Sequence, residues 1–144
     1  MTIAELAAHA SPEAVGLARA ILEQDLADEA WAAQIGPALA QRDVARLLGK
    51  SEQAVAKDQK LLRLRNRDGR PVYPVMQFEG RGQIAGIDDI VLAMAEVFHP
   101  LTVAAWLTGV NPALGDRRPV DALRESDEDR VLTIARQLAA ASAA

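Results

Sequence analysis

The sequence predicts a mostly α-helical fold in which a helix-turn-helix is followed by a small β-hairpin and then by a second, small helical domain. Half of the residues are hydrophobic but only 3% are aromatic, so the core must be built from Ala, Leu, Val and Ile, a mixture that favours helices. A glycine-centred pattern in residues 41–61 predicts two crossing helices. Asp68-Gly69, placed between two short apolar segments, predicts the hairpin.

The N-terminal segment, residues 1–35, is predicted to be helical. Ser11-Pro12-Glu13 is typical of a helix start, since serine caps the first turn and proline fits it. Four large apolar residues then lie near a common face: Ile21, Leu22, Leu26 and Trp31. We expect the segment either to dimerise the chain or to pack against it. Ile35-Gly36-Pro37 ends it.

Residues 36–80 contain the helix-turn-helix. Val44, Ala45, Leu47 and Leu48 have the spacing of one buried helix face, and Gly49 follows where that helix must end. Ser51 is the expected N-cap of a second helix, with Ala54 and Val55 on its inner face. A small residue at 45 would let the helices cross closely, and Val55 would fill the space between them. The alternative is a helical hairpin that serves only as core.

Charge singles out the same region. The formal net charge is −4, yet residues 42–70 carry nine Lys or Arg against four Asp or Glu. Because phosphate attraction acts within about 10 Å, one basic face suffices for nucleic-acid binding on an acidic chain. In a strand, Arg63, Arg65 and Arg67 would point to one side. The alternative is that these side chains are simply exposed to solvent and bind no ligand.

The pattern predicts binding to double-stranded DNA. The candidate contacts are Lys50, Ser51, Gln53, Lys57, Lys60, Arg63, Arg65, Arg67 and Arg70. Gln53 is the best candidate for reading a base edge, because its amide can pair with adenine twice. The lysines and arginines would mainly contact phosphates, which set register but not sequence. One such module has weak specificity, so a homodimer reading half-sites about 34 Å apart is expected.

Beyond the hairpin, residues 80–86 (GRGQIAG) are expected to form a linker, since they lack the Lys-Ser/Thr of a phosphate-binding loop. A helix is predicted from Ile87 to His99, where Pro100 marks a boundary or kink. Pro119 can open another helix. The last helix begins at the acids of residues 127–129, which favour a helix N-terminus.

The C-terminal half carries a specific series of motifs. Its parts are Trp106-Leu107, the turn Asn111-Pro112-Ala113-Leu114-Gly115, Arg118-Pro119, Asp121-Ala122-Leu123 and Arg130-Val131. In this series, which covers about residues 87–140, the chain resembles antitoxins of the Xre/MbcA/ParS family in their C-terminal toxin-binding domain. The helix-turn-helix, Tyr73-Pro74 and Gln77-Phe78 also look like DNA-binding members that carry this domain. Trp106 and Leu107 are expected to anchor its core.

The resemblance implies that residues 87–144 bind a partner protein, a RES-domain toxin that degrades NAD, and that the chain represses its own operon. Family antitoxins block the toxin's active-site cleft with the C-terminal helix and tail. The corresponding candidates are Arg130, Arg136, Gln137 and the tail ending at Ala144. Because this tail is Ala and Ser alone, steric cover by the helix is the expected mode.

Other functions receive little support from the sequence. There is no cysteine, His9 and His99 are far apart, and the acid runs stand at helix starts, so we expect no catalysis, no metal and no cofactor. No apolar segment suggests a membrane span or signal peptide, so a cytoplasmic protein is expected. Two alternatives stay open: a stand-alone regulator without a toxin, and an adaptor whose helix-turn-helix never meets DNA.

Overall fold

The fold is seen in a computed structural model, which describes residues 8–9, 11–16 and 30–143. The chain divides into two compact units, residues 1–33 and 34–144. In the first, the Ser11 hydroxyl accepts a hydrogen bond from the Ala14 amide at 3.2 Å, which confirms the predicted cap. Ile21, Leu22, Leu26 and Ala144, named above, lie outside the described residues.

A small antiparallel sheet accompanies the helices of the second unit. Its strands are β1 (Ala38–Ala40), β2 (Leu64–Arg65) and β3 (Pro71–Pro74), in the order β1-β3-β2. The β2–β3 pair is the predicted hairpin, with Leu64 opposite Val72. Strand β1 was not predicted, because three residues of Ala-Leu-Ala carry no readable alternation. It becomes a strand by pairing with β3, Leu39 opposite Tyr73.

The described part of residues 34–143 is mostly helical. The helices are α1 (Gln41–Leu48), α2 (Glu52–Lys57), α3 (Ile87–Ala95), α4 (Pro100–Thr108), α5 (Pro119–Arg124) and α6 (Glu128–Ala143). Short 3-10 turns cover Val75–Gln77 and Pro112–Leu114. Helix α3 stops at Ala95, four residues before the predicted end. The next helix begins at Pro100, where His99 caps it by accepting the Leu101 amide at 3.1 Å.

Two hydrophobic clusters hold this unit together. The smaller joins Val44, Ala45, Val55, Leu61 and Tyr73, and so packs α1 and α2 against β3. The larger is built from α3 to α6, and it also takes in Ile35, Leu62 and Ile84. Side chains from both halves of the sequence therefore share one core.

Residues 80–86, expected to be a linker, contribute a strand and one buried side chain to this unit. Strands β4 (Phe78–Glu79) and β5 (Gly82–Gln83) form a hairpin here, and Ile84 is only 2% exposed. The expectation of a linker is therefore wrong. The glycines suggested flexibility, but Gly80 has φ +63° and serves the tight turn of the hairpin.

Gln77 is a fully buried amide that organises the region between the two clusters. Its Oε1 accepts the Leu62 amide at 2.9 Å, and its Nε2 donates to the carbonyl oxygens of Leu62 at 2.9 Å and Pro74 at 3.1 Å. The Gln83 side chain makes a further hydrogen bond to this loop, donating to the Lys60 carbonyl at 2.8 Å. The loop after α2 is thus fixed by side chains rather than by regular structure.

Among the described residues, none of the helices combines the length and the apolar character needed to cross a membrane.

Candidate nucleic-acid interface

Helices α1 and α2 are joined by the turn that the sequence predicted. Gly49 adopts the left-handed conformation with φ +64°, and the Lys50 amide reaches back to the Ala45 carbonyl at 3.0 Å. The Ser51 hydroxyl then caps α2 by accepting the Ala54 amide at 3.1 Å. These roles of Gly49 and Ser51 are confirmed, because both depend on local backbone geometry.

The faces of the two helices agree only in part with the prediction. Val44, Ala45 and Val55 are buried between the helices, as expected. Ala54 was predicted to face inward but is exposed. Helix α2 has only six residues, so one buried position is enough to seat it. Leu48 is half-buried at the edge of the smaller cluster.

The polar candidates of α2 lie on its outer side. Lys50, Ser51, Gln53, Lys57 and Lys60 are all exposed. Gln53 and Lys57 are four residues apart and therefore share one helix face. Asp58, at the end of the helix, lies 3.8 Å from the Lys50 ammonium and accepts the Lys60 backbone amide. Asp58 thus shapes the turn after α2, and Glu52 is a second, exposed acid at the start of the helix.

The tip of the β2–β3 hairpin is held by Asn66. Its side-chain oxygen accepts the amides of Asp68 at 3.0 Å and Arg70 at 2.9 Å, and Gly69 adopts φ +76°. This role of Asn66 was not predicted, although an asparagine two residues before Asp-Gly is a recognisable turn signal. The tip is a preformed structure, so ligand binding need not order it.

The arginines of the hairpin are exposed, as predicted, and two of them are positioned by backbone carbonyls. Arg63 donates to the Ala56 carbonyl near the end of α2 at 2.9 Å, and Arg65 donates to the Gly69 carbonyl at 2.8 Å. Arg63 thus connects the hairpin to α2. A guanidinium has five N–H donors, so one such bond orients the group and leaves others for a ligand.

The structure therefore brings the nine predicted contacts together. They occupy the start and outer side of α2, the loop after it and the adjoining hairpin, and all nine are exposed. The sequence carries five more Lys or Arg than Asp or Glu over residues 42–70. A rigid, exposed and cationic surface of this kind can contact a phosphate backbone.

The predicted C-terminal candidates are spread along α6. Arg130 donates to the Ala113 carbonyl at 2.6 Å and so braces the turn at residues 111–115. Arg136 and Gln137 are exposed farther along the helix, and Leu138 is 37% exposed beside them. Of this set, Arg130 has a structural partner, and Arg136 and Gln137 face outward.

The turn before α5 is organised as the motif predicts. The Asn111 side chain accepts the Ala113 amide at 3.0 Å, and Gly115 has φ +66°. Leu107 is fully buried, whereas Trp106 is half-buried against the larger cluster. The Arg118 guanidinium, hydrogen-bonded to Asp121 at 2.7 Å, lowers the pKa of that carboxyl.

Arg117 closes the same turn against the start of α6. It donates to Glu125 and to Asp127, each at 2.8 Å, and these bonds raise the pKa of the guanidinium. Asp127 therefore pairs with an arginine. Within the described ranges, no group of three or more His, Cys, Asp or Glu could hold a metal ion.

These elements define a mostly helical fold in which two short helices pack on a small sheet around one hydrophobic cluster, and four further helices form a second, larger one. Among solved structures, a similar fold occurs in the one titled "NMR structure of Rv2175c". The TM-score is 0.62 over 72% of this chain and 81% of that chain, at 24% identity, so the likeness concerns the fold. A scan of protein families and a search of curated proteins found no match.

Proposed function

We propose that the chain binds double-stranded DNA through α2 and the β2–β3 hairpin, and that it acts as an antitoxin-type repressor of its own operon. One observation carries the DNA-binding part. The nine candidate side chains are all exposed. They lie on or beside α2 and the β2–β3 hairpin, which are connected by the hydrogen bond from Arg63 to the Ala56 carbonyl. A core-only helical hairpin would not need this concentration of exposed cations.

In the proposed complex, α2 enters the major groove and the hairpin lies along the phosphate backbone. Gln53 is exposed in the first turn of α2 and would contact a base edge. Lys57, Lys60 and the hairpin arginines would contact phosphates. A homodimer would place two copies of α2 about 34 Å apart, one helical turn of DNA. The molecular mass measured by light scattering in solution tests whether the chain is a dimer. The distance between symmetric half-sites in the operator tests the predicted spacing.

We expect Lys57→Ala to weaken binding to every DNA sequence alike. Each phosphate contact that is lost reduces the slope of log K against log salt by about 0.9. The measurement is the affinity for the upstream region of the gene and for an unrelated duplex across a salt series. Arg136→Ala is the matched control, because Arg136 is exposed on α6 and is not one of the nine candidate contacts.

Arg65→Ala should show the same reduced slope with a larger loss of affinity, because it also removes the hydrogen bond from Arg65 to the Gly69 carbonyl at the hairpin tip. Unchanged affinity and slope in both the Lys57 and Arg65 variants would exclude the hairpin and α2 as the phosphate contacts.

Gln53→Ala should instead reduce discrimination between operators. A bidentate amide–adenine pair contributes about 1–3 kcal/mol of discrimination, so preference should fall by tenfold or so at one base pair. The assay compares affinities across a set of single-base operator variants. Gln59→Ala is the control, since Gln59 is exposed beyond the end of α2. An intact preference in the Gln53 variant would remove this residue from base readout.

The antitoxin part of the proposal is supported by the motif series of residues 106–131 and by the outward face of α6. Arg136 and Gln137 are exposed there, next to the partly exposed Leu138. A mixed apolar and polar helix face of this kind suits a protein partner. The partner proposed from the resemblance is a RES-domain toxin that degrades NAD, covered by α6.

Purification of the tagged chain from its native host tests this part. We expect a stoichiometric partner that consumes NAD once it is released, and Arg136→Glu should lower its yield. Arg81→Glu, the same charge reversal at an exposed site outside α6, should not. Recovery of the chain without a protein partner would contradict the antitoxin role.

A second candidate function, a stand-alone regulator, is favoured by the shared core. Helices α3 to α6 bury Leu62 and Ile35 together with their own side chains. They therefore support the DNA-binding elements whether or not a toxin exists. Specific operator binding by a chain that purifies without a partner would favour this candidate.

A further inference from the structure

A cleft of about 630 Å³ lies beside the proposed DNA-binding surface. One wall is formed by the end of α2, the loop after it and strand β2. The other is formed by the end of α3, the α3–α4 connection and the start of α4. Small-molecule sites are commonly about 300–1,000 Å³ and mostly apolar, with a few polar groups that orient the ligand. The volume of this cleft falls in that range.

The α3–α4 wall is mostly apolar, with Glu96 and His99 as its polar side chains. Leu92, Phe98, Leu101 and Val103 line it, and Leu101 is 36% exposed. Leu61, Leu62 and Leu64 continue the apolar lining toward the opposite wall. An alkyl or aryl group that displaced water here would gain about 25 cal/mol for each Å² of apolar surface buried.

The α2–β2 wall is cationic. Lys57, Arg63 and Arg65 line it, and two of them are held in place by the carbonyl bonds described above. Asp58 also lines the cleft, but it is committed to Lys50 and to the Lys60 amide. Glu96 stands on the opposite wall at the end of α3. An anionic group is therefore favoured at the arginine edge and disfavoured near Glu96.

We propose that this cleft binds a small amphipathic carboxylate, with its apolar part on the α3–α4 wall and its carboxylate at Arg63 and Arg65. The charge arrangement selects this class of ligand. A neutral apolar molecule would leave the arginine edge unused, and a short carboxylate would leave the leucines and Phe98 in water. Arginine suits the carboxylate because its planar N–H pairs match two oxygens.

Ligand binding would also release DNA, a consequence that rests on the proposed function. Arg63 and Arg65 are candidate phosphate contacts, so one anion would compete with another for the same guanidinium groups. Linkage requires the effect to be reciprocal: DNA should weaken ligand binding by the same factor by which the ligand weakens DNA binding. The cleft would then be a site at which a metabolite relieves repression.

The binding test uses calorimetry on the full chain without DNA, with decanoate, decanol and acetate as probes. We expect saturable one-to-one binding of decanoate, with decanol and acetate each at least about tenfold weaker, since each lacks one of the two interactions. Absence of saturable decanoate binding overturns the proposal, as does equal binding of decanol.

Two variants locate the site. Arg63→Ala should weaken decanoate about tenfold by removing a charge-assisted hydrogen bond, and Arg63→Lys should recover part of the loss. Leu101→Glu should reduce decanoate binding at least as strongly, and because Leu101 is partly exposed the fold should tolerate it. Arg81→Ala should bind like the unmodified chain. Binding that survives both cleft variants would place the ligand elsewhere and overturn the assignment.

The DNA arm is measured separately, by titrating decanoate into a preformed complex. Competition is supported if decanoate releases DNA from the unmodified chain and if the Leu101→Glu variant needs more decanoate for the same release. If the chain binds decanoate at the cleft but binds no DNA, the ligand site stands and the proposed function fails. If the chain binds DNA but does not bind decanoate, the proposed function stands and the ligand site fails.

Discussion

Gln77→Ala should lower the free energy of unfolding by about 4 kcal/mol, because it leaves three backbone groups without their partners. The amide and carbonyl of Leu62 and the carbonyl of Pro74 all bond to this side chain, which is fully buried. An unsatisfied buried polar group destabilises a fold by about 1–3 kcal/mol, and the vacated volume adds to this. Urea unfolding followed by circular dichroism measures the change.

Gln59→Ala is the matched control for Gln77, since the same atoms are removed from an exposed glutamine in the same region of the chain. Its expected effect is within about 0.5 kcal/mol. A Gln77 variant that unfolds at the control's midpoint would contradict the role assigned to the buried amide. Because Leu62 precedes Arg63, the Gln77 variant should also lose DNA affinity as the loop loosens.

Gly86→Ala should be the next most damaging substitution, at about 3 kcal/mol. Gly86 has φ +87° at the start of α3, where an L-residue is strained. A Cβ there would also lie 2.9 Å from Cγ and 3.0 Å from Cβ of Glu128, at the start of α6. Either the backbone of α3 or that of α6 must shift, and both belong to the larger core.

Substitutions at two other glycines separate the effect of backbone strain from that of the contact with Glu128. Gly115 has φ +66° but open space around its Cα, so Gly115→Ala should show only the backbone strain, about 1 kcal/mol. Gly82 has open space and no positive φ in the strained range, so Gly82→Ala should be close to neutral. Thermal unfolding of the three variants should rank them in this order. Equal effects at Gly86 and Gly115 would show that the contact with Glu128 is easily relieved.

Several parts of the fold could be predicted because their causes are local. Gly49 ends α1 and Ser51 caps α2 within a stretch of three residues. Asp68-Gly69 closes the β2–β3 hairpin, and Pro119 opens α5. In each case the residue's own conformational preference or a bond to a near neighbour decides the structure. The set of exposed DNA-contact candidates followed from the same local reasoning.

The sequence by itself thus determined the starts of α2, α3, α5 and α6, the tight turns and the position of the cationic surface, but not helix α4, which Pro100 opens. The tertiary structure alone decided strand β1, the burial of Gln77 and the burial of Ile84 in the larger cluster. It also decided the carbonyl bond of Arg63 and the cleft between α2 and α4. These features depend on contacts between residues far apart along the chain. Such contacts produce no periodic pattern in the sequence, so they could not be predicted from it.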